Sequence, residues 1–165
     1  MADLIIRKAV REDCKEIMGM TRELAEFERM PDSVNLTEDI LVRDGFDSDP
    51  PFFFDLIAEI DGIVIGHALY FYSYSPVEGG RLLYLEDLYI KEQYRGKGYG
   101  NKLFDAVINV ARENDCFCMQ WCVLNWNEKA LGFYQKKGAF DLTLDRGTHM
   151  YRIEKDQMVK LANTE

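Results

Sequence analysis

Arg95-Gly96-Lys97-Gly98-Tyr99-Gly100 follows an apolar run and opens an amphipathic one. Strand, glycine loop and helix in that order suit the binding of anionic oxygen. The first N–H groups of a helix lack intrahelical partners and carry partial positive charge. Glycines let a phosphate reach the backbone that bears them. Two acids, Glu86 and Asp87, interrupt the apolar run just upstream, where an unpaired carboxylate is costly. Each reads either as a salt-bridge partner or as a group kept for a cation. Strand alternation predicts Glu86 and Leu88 on one face and Asp87 on the other.

Two familiar phosphate loops do not fit. A P-loop requires Gly-x-x-x-x-Gly-Lys-Ser/Thr, which no window supplies. A dinucleotide loop requires Gly-x-Gly-x-x-Gly and an acid ending the next strand. Here the glycines run Gly96-x-Gly98-x-Gly100, and the next apolar run ends Cys122-Val123-Leu124-Asn125. His67 and His149 are the only histidines, and neither completes a Ser-His-acid or Cys-His set, so nucleophilic catalysis is not expected. Cys14, Cys116, Cys118 and Cys122 lack the paired spacing of a zinc site. They read as free thiols in a reducing compartment, with no metal expected.

The elements that must position these residues alternate in type. Ile5 to Ala9 reads as a strand. Asp13 is placed to cap a helix running to about Arg29, with Ile17, Met20, Leu24 and Phe27 on its buried stripe. Thr37 opens a short helix ending near Asp44-Gly45. Phe53 to Ile60 and Ile63 to Tyr74 read as strands joined at Asp61-Gly62, and Leu82 to Ile90 as a central strand. Leu103, Phe104, Val107, Ile108 and Ala111 share one face of the helix after the glycine loop. Met119 to Leu124 reads as a strand and Asn127 to about Lys137 as a helix stopped by Gly138. Phe140 to Leu142 and Met150 to Ile153 are expected to be closing strands, with a short helix from about Lys155. The pattern predicts a mixed α/β fold in which antiparallel strands come first and a β-α-β crossover follows.

A length of 165 residues fits one domain, expected over 1–165, and a net charge of −9 argues against nucleic acid as a partner. The same charge suits either a cationic substrate or plain solubility. No apolar run approaches the ~18 residues of a membrane span, and Met1-Ala2-Asp3 begins no signal peptide. A cytoplasmic protein is expected.

The segment Arg95 to Gly100 also satisfies Arg/Gln-x-x-Gly-x-Gly/Ala, and Asn127-x6-Tyr134 lies one strand and one helix further on. Together they resemble the GCN5-related N-acetyltransferases. Glu23 to Glu28, Asp44-Gly45-Phe46, Leu83 to Tyr89, Val123 to Asn127 and Phe133 to Ala139 further resemble the diamine acetyltransferases of that superfamily. The Glu-Phe-Glu and Val-Leu-x-Trp-Asn forms lean to the thialysine-acetylating branch. The resemblance implies a central, mostly antiparallel sheet flanked by helices, with acyl-CoA at a splay between central strands. It implies acetyl transfer from acetyl-CoA to a small primary amine by direct attack, and a homodimer by analogy.

The resemblance also assigns roles. Arg95, Gly96, Lys97, Gly98, Tyr99, Gly100 and Asn101 would wrap the pyrophosphate. Leu88, Tyr89 and Ile90 would offer backbone groups to the pantetheine arm, with Asn127, Lys129, Ala130 and Tyr134 on its other side. Tyr134 matches the general acid, although its spacing also suits a core aromatic. Glu86 matches the base, acting through water, or a group that only orients the amine. Phe27, Glu28, Glu86, Asp87, Gln120, Trp121 and Cys122 would line the amine pocket. Polyamine-specific members carry an acid and then Gly-Trp near the chain end. Here Arg146 replaces the acid and Thr148 the tryptophan, which disfavours a second ammonium. The rival readings are a peptide or protein amine acetyltransferase and a non-catalytic acyl-CoA-binding module.

Overall fold

A computed structural model describes residues 3–162. Residues 1, 2 and 163–165, including the first residues weighed above for a targeting segment, lie outside the described residues. The chain divides into two compact units between Cys122 and Val123.

The first unit holds a sheet ordered β1-β2-β3-β4-β5, from Leu4–Lys8, Phe54–Ile60, Ile63–Ser75, Gly80–Ile90 and Cys118–Gln120. The first four strands pair antiparallel, and β4 pairs with β5 in parallel. The turn between β2 and β3 uses Asp61 at φ 50° and Gly62 at φ 76°, the left-handed pair that a two-residue hairpin requires. Helix α1 (Cys14–Phe27) and helix α3 (Tyr99–Glu113) cover opposite faces. The Tyr89 hydroxyl donates to Glu23 Oε2 of α1 at 2.9 Å, whereas a side chain added at Gly100 of α3 would meet Ile90 at 3.6 Å. Neighbouring residues of a strand point to opposite faces, so the two helices lie on opposite sides. Short α2 (Glu38–Val42) follows α1; its N-cap Thr37 accepts from Ile40 N, as its position predicts.

The core follows from the helical stripes. Cys14, Ile17 and Met18 pack with Leu41 and Ile57 beneath α1. Leu103, Phe104 and Val107 of α3 are fully or nearly fully buried. Burial of each large apolar side chain contributes about 2 kcal/mol before entropy is counted.

Asp13 departs from its expected role. It makes no side-chain cap bond to α1; its carboxylate takes Arg7 at 2.7 and 2.9 Å and the Val10 N–H at 2.8 Å. Arg7 also donates to Glu59, so this network ties β1 and β2 to the start of α1. Strand β5 is shorter than the expected Met119 to Leu124. Its ladder with β4 stops at Tyr84–Gln120, and just beyond this β4 carries a bulge.

The second unit contains α4 (Glu128–Lys136), α5 (Leu142–Arg146) and α6 (Lys155–Ala162). The expected strands at Phe140 to Leu142 and Met150 to Ile153 do not form. Asp141 accepts from Thr143 N and Leu144 N at 2.9 and 3.3 Å and so starts a helix, which Gly147 ends at φ 62°. Met150 and Tyr151 are 82% and 90% exposed, and no ladder reaches them.

Candidate active site

The glycine loop forms as its sequence requires. Gly96 and Gly98 take φ of 78° and 82°, a region costly for a side-chain-bearing residue, and nothing lies within 4 Å of a Cβ built on either. Gly98 is the N-cap of α3 and supplies no side-chain cap. The N–H groups of Tyr99, Gly100 and Asn101 therefore open the helix without intrahelical partners, beside the exposed Gly96, Lys97 and Gly98. Free donors, a positive helix end and an open approach fit a pyrophosphate.

Arg95 does more for the scaffold than for the charge of the loop. Its Nε donates to the Ile90 carbonyl at 2.8 Å, and its guanidinium lies 5.0 Å from the Tyr89 ring centre and 5.3 Å from that of Phe27. It thus braces the loop against the end of β4 and the end of α1. Lys97 lies over the Tyr94 ring at 5.7 Å, and Asn101 donates to Asp105 at 3.0 Å.

The strand splay expected for an acyl-CoA site is present in the register. Beyond Tyr84, β4 continues to Ile90 paired with β3 alone. Lys91 N donates to Ile65 O, so the Gly66–Ile90 pair is of the non-hydrogen-bonded kind. By alternation, Leu88 and Ile90 turn their backbone groups to the open edge, and Tyr89 turns its own to His67 on β3. Two of the three expected pantetheine residues are thus placed to offer backbone bonds.

The acids sit at the bulge. Leu69 faces Asp87 and Tyr70 faces Leu85, so Glu86 is skipped by the ladder. That interrupts the regular alternation the sequence suggested, and Glu86 is exposed while Asp87 is half-buried. Burial raises the Glu86 carboxyl above the usual range, and Asp87 raises it further. Burial likewise raises Asp87. Glu28, the C-cap of α1, is raised by burial and then by the charges of Asp87 and Glu86. The three carboxylates therefore feel one another, and a cation among them would relieve the repulsion. Phe27, 43% exposed, flanks them from α1.

Of the residues after the ladder, Gln120 faces Tyr84, and the exposed Cys122 meets the Tyr84 hydroxyl at 3.1 Å. Trp121 packs edge-on against Phe104 of α3 at 5.5 Å. Its indole is thereby held in the α3 packing.

In the second unit, Asn127 is the N-cap of α4 and accepts from Ala130 N at 3.1 Å. Lys129 and Ala130 form the first turn of the same helix. Tyr134 lies near its end, ring centre 5.1 Å from that of Phe133, and burial pushes its phenol up to about 12. Arg146 closes α5, and Thr148 follows its cap.

Sequence reading missed Asp55 and His67. They form a buried pair, His67 Nδ1 to Asp55 Oδ2 at 2.9 Å. Its signal was a polar residue in each of two apolar strands at diagonal positions on one face, legible only once the register is known. Among the described residues, no group of His, Cys, Asp or Glu is placed to hold a metal, and no helix is long and apolar enough to cross a membrane.

The acetyltransferase (GNAT) family pattern matches residues 6–139. The thialysine N-epsilon-acetyltransferase of Bos taurus is 41% identical over 98% of this chain and 99% of its own. An integron cassette protein of V. cholerae superposes with a TM-score of 0.78 at 24% identity, covering 99% of each chain. The aminoglycoside N-acetyltransferase AAC(6')-Iy, solved in complex with CoA, superposes with a TM-score of 0.72 at 17% identity over 94% of this chain and 97% of its own. The chain belongs to the GNAT acetyltransferase family and is an enzyme that transfers acetyl to an amine.

Proposed function

We propose that this enzyme takes acetyl from acetyl-CoA to the terminal primary amine of a small, lysine-like substrate such as thialysine, with short diamines as weaker acceptors. The observation that carries the substrate class is the trio Glu28, Glu86 and Asp87: burial raises all three, Asp87 and Glu86 raise Glu28 further, and Asp87 raises Glu86. An ammonium binds where such charges converge. The name of the cattle relative supports the lysine-like choice. Arg146 disfavours a long polyamine on the sequence grounds given above.

Acetyl-CoA supplies the activated acetyl thioester. Tyr99, Gly100 and Asn101 hold its pyrophosphate by backbone N–H groups, and Leu88 and Ile90 hold its arm through the open edge of β4. Asn127, Lys129 and Ala130 hold the arm from α4. Glu86 and Asp87 orient the ammonium and, through water, take its proton. Their raised affinity for a proton narrows the gap to an amine of pKa ~10, and desolvation of the ammonium narrows it from the other side. Tyr134 gives its proton to the departing sulfur. We read residues 1–165 as one catalytic domain, because the family match crosses the boundary between the two units. A cytoplasmic homodimer is the assembly we assign from the family resemblance.

The test is a thiol-release assay with acetyl-CoA and thialysine, lysine, diaminopropane, spermidine and a lysine-bearing peptide. Thialysine should give the highest kcat/KM. Preference for the peptide, or no turnover of any amine despite CoA binding, would overturn the reading.

A further inference from the structure

Asp55 and His67 are buried to 5% and 0% exposure on the α1 side of the sheet, and the transfer chemistry above uses neither. Asp55 Oδ2 lies 2.9 Å from His67 Nδ1, and Asp55 Oδ1 accepts from Ala68 N at 3.0 Å. Burial raises Asp55, and the two donors on its carboxylate oppose that and favour the ionised form, with the proton on Nδ1. His67 Nε2 has no hydrogen-bond partner and no solvent.

The register says which residues neighbour the ring. Asp55, Leu69 and Asp87 form one cross-strand row, and Ile57, His67 and Tyr89 form the next row on the same face. His67 is therefore flanked in its own row by Ile57 and by Tyr89, whose hydroxyl is bonded to Glu23, and lies diagonal to both Asp55 and Asp87. A neutral imidazole would bury a bare lone pair on Nε2 with two acids on the ring's diagonals. An imidazolium presents N–H there, which the field of Asp87 favours.

We infer that Asp55 and His67 form a buried ion pair whose imidazolium keeps Asp87 ionised and aligned, so that His67 is a positioning residue for the acceptor ammonium. Asp55 neutralises His67, and Asp87 lies on the other diagonal from the same ring. Without it, burial would raise Asp87 further and weaken its attraction for a cation. The charges of Asp55 and Asp87 both favour the imidazolium against the cost of burial, and His67 in turn lowers Asp87 against its own burial. The other titratable groups near the pair are Asp13 and Cys14 at the start of α1, Tyr70 on β3, and Tyr89 with Glu23. Arg7 already holds Asp13, and Glu23 already holds Tyr89. A cleft of about 190 Å³ is bordered by Lys8, Phe46 and Asp55.

The role in amine recognition rests on the reading of Asp87 given above, but the ion pair can be tested without it. His149→Gln leaves one imidazole, whose ring nitrogens report protonation by 15N NMR. His67 should carry protons on both nitrogens at pH 7.5 in the free protein. Asp87→Asn should lower its titration midpoint, and Asp55→Asn should lower it further. A neutral ring at pH 7.5, or a midpoint unmoved by Asp87→Asn, overturns the inference whatever the enzyme acetylates. In the assay, His67→Gln should raise the amine KM at least tenfold and leave the acetyl-CoA KM unchanged. Asp87→Asn added to His67→Gln should add little further loss, because both act through one charge. Independent, multiplicative losses would reject positioning through Asp87. If His67→Gln does not fold, the midpoint in Asp87→Asn decides. If no amine is turned over, the proposed function fails while the NMR result stands on its own.

Discussion

In the proposed mechanism Tyr134 gives its proton to sulfur, and it must keep that proton until the reaction. Burial serves this for Tyr134 by raising it to about 12. It also makes transfer to a thiolate of pKa ~8.5 uphill by roughly 5 kcal/mol in the free chain. The transfer therefore belongs late in the reaction, when the sulfur is itself desolvated and more basic. Tyr134→Phe should lower kcat at least ~100-fold while CoA affinity, measured by calorimetry, is retained. Turnover of the wild type should show no descending limb up to pH ~10, because Tyr134 stays protonated there. The acidic limb has the opposite origin. Glu28, Glu86 and Asp87 all hold protons more tightly than ordinary carboxylates, so amine binding should fade on acidification above the usual carboxylate range. Glu86→Gln should move that limb of the amine kcat/KM profile to lower pH, since one of the mutually repelling charges is gone. An unmoved limb would remove Glu86 from the amine pocket.

At the scale of elements, the glycine loop ties donor binding to backbone geometry. Gly98→Ala places a side chain at φ 82° in open space, so the penalty is conformational rather than steric, about 1 kcal/mol. A shift of the loop to relieve it misaims the N–H groups of α3. The acetyl-CoA KM should rise about tenfold with the amine KM unchanged. Equal effects on both would mean the loop does not serve the donor alone. The Arg7–Asp13 network tests a second joint. Burial opposes the Asp13 charge, but the Arg7 and Val10 donors outweigh it and hold its carboxyl below the usual range. Its stabilisation is present above the unfolded pKa of ~3.9 and is lost as pH falls through the lowered folded value. Asp13→Asn should therefore destabilise by about 1–3 kcal/mol at pH 7, with the difference vanishing in strong acid, as read by urea unfolding.

These elements also show what could be read from residues alone. Loop, helix and strand order follow from local signals: glycines at positive φ, a 3.6-residue apolar stripe, Asp61-Gly62 at a hairpin. The bulge at Glu86 does not, because it is a fact of pairing between β3 and β4 that simple alternation cannot foresee. The Asp55–His67 pair was hidden for the same reason. The closing strands fail differently. Met150 to Ile153 has the apolar composition of a strand, but a strand needs a ladder partner, and none meets it among the described residues. Asp141 beside Leu142-Thr143 is a helix-start signal that outweighed the apolar run beginning at Phe140.

Across the molecule, charge treats the two substrates in opposite ways. The chain carries −9, and the acceptor is a cation while the donor carries phosphates. Long-range attraction therefore favours the amine and works against the donor, which in the proposed site is drawn in by the local field of the α3 N-terminus and Lys97. Salt distinguishes these contributions by range. Raising ionic strength from about 0.01 M to 0.1 M shortens the screening length from roughly 30 Å to 10 Å. The field of the whole molecule is then lost, and charges in direct contact with a bound group are screened much less. The kcat/KM for the amine should fall several-fold over this range. The kcat/KM for acetyl-CoA should hold or rise, because the repulsion it loses is the long-range part. Reversing the charge of a remote surface residue such as Glu113, at the far end of α3, should shift both responses slightly and leave kcat unchanged. If salt lowers both specificity constants together, the acidic character of this chain is a matter of solubility, and recognition of the amine rests on the contacts of Glu28, Glu86 and Asp87 alone.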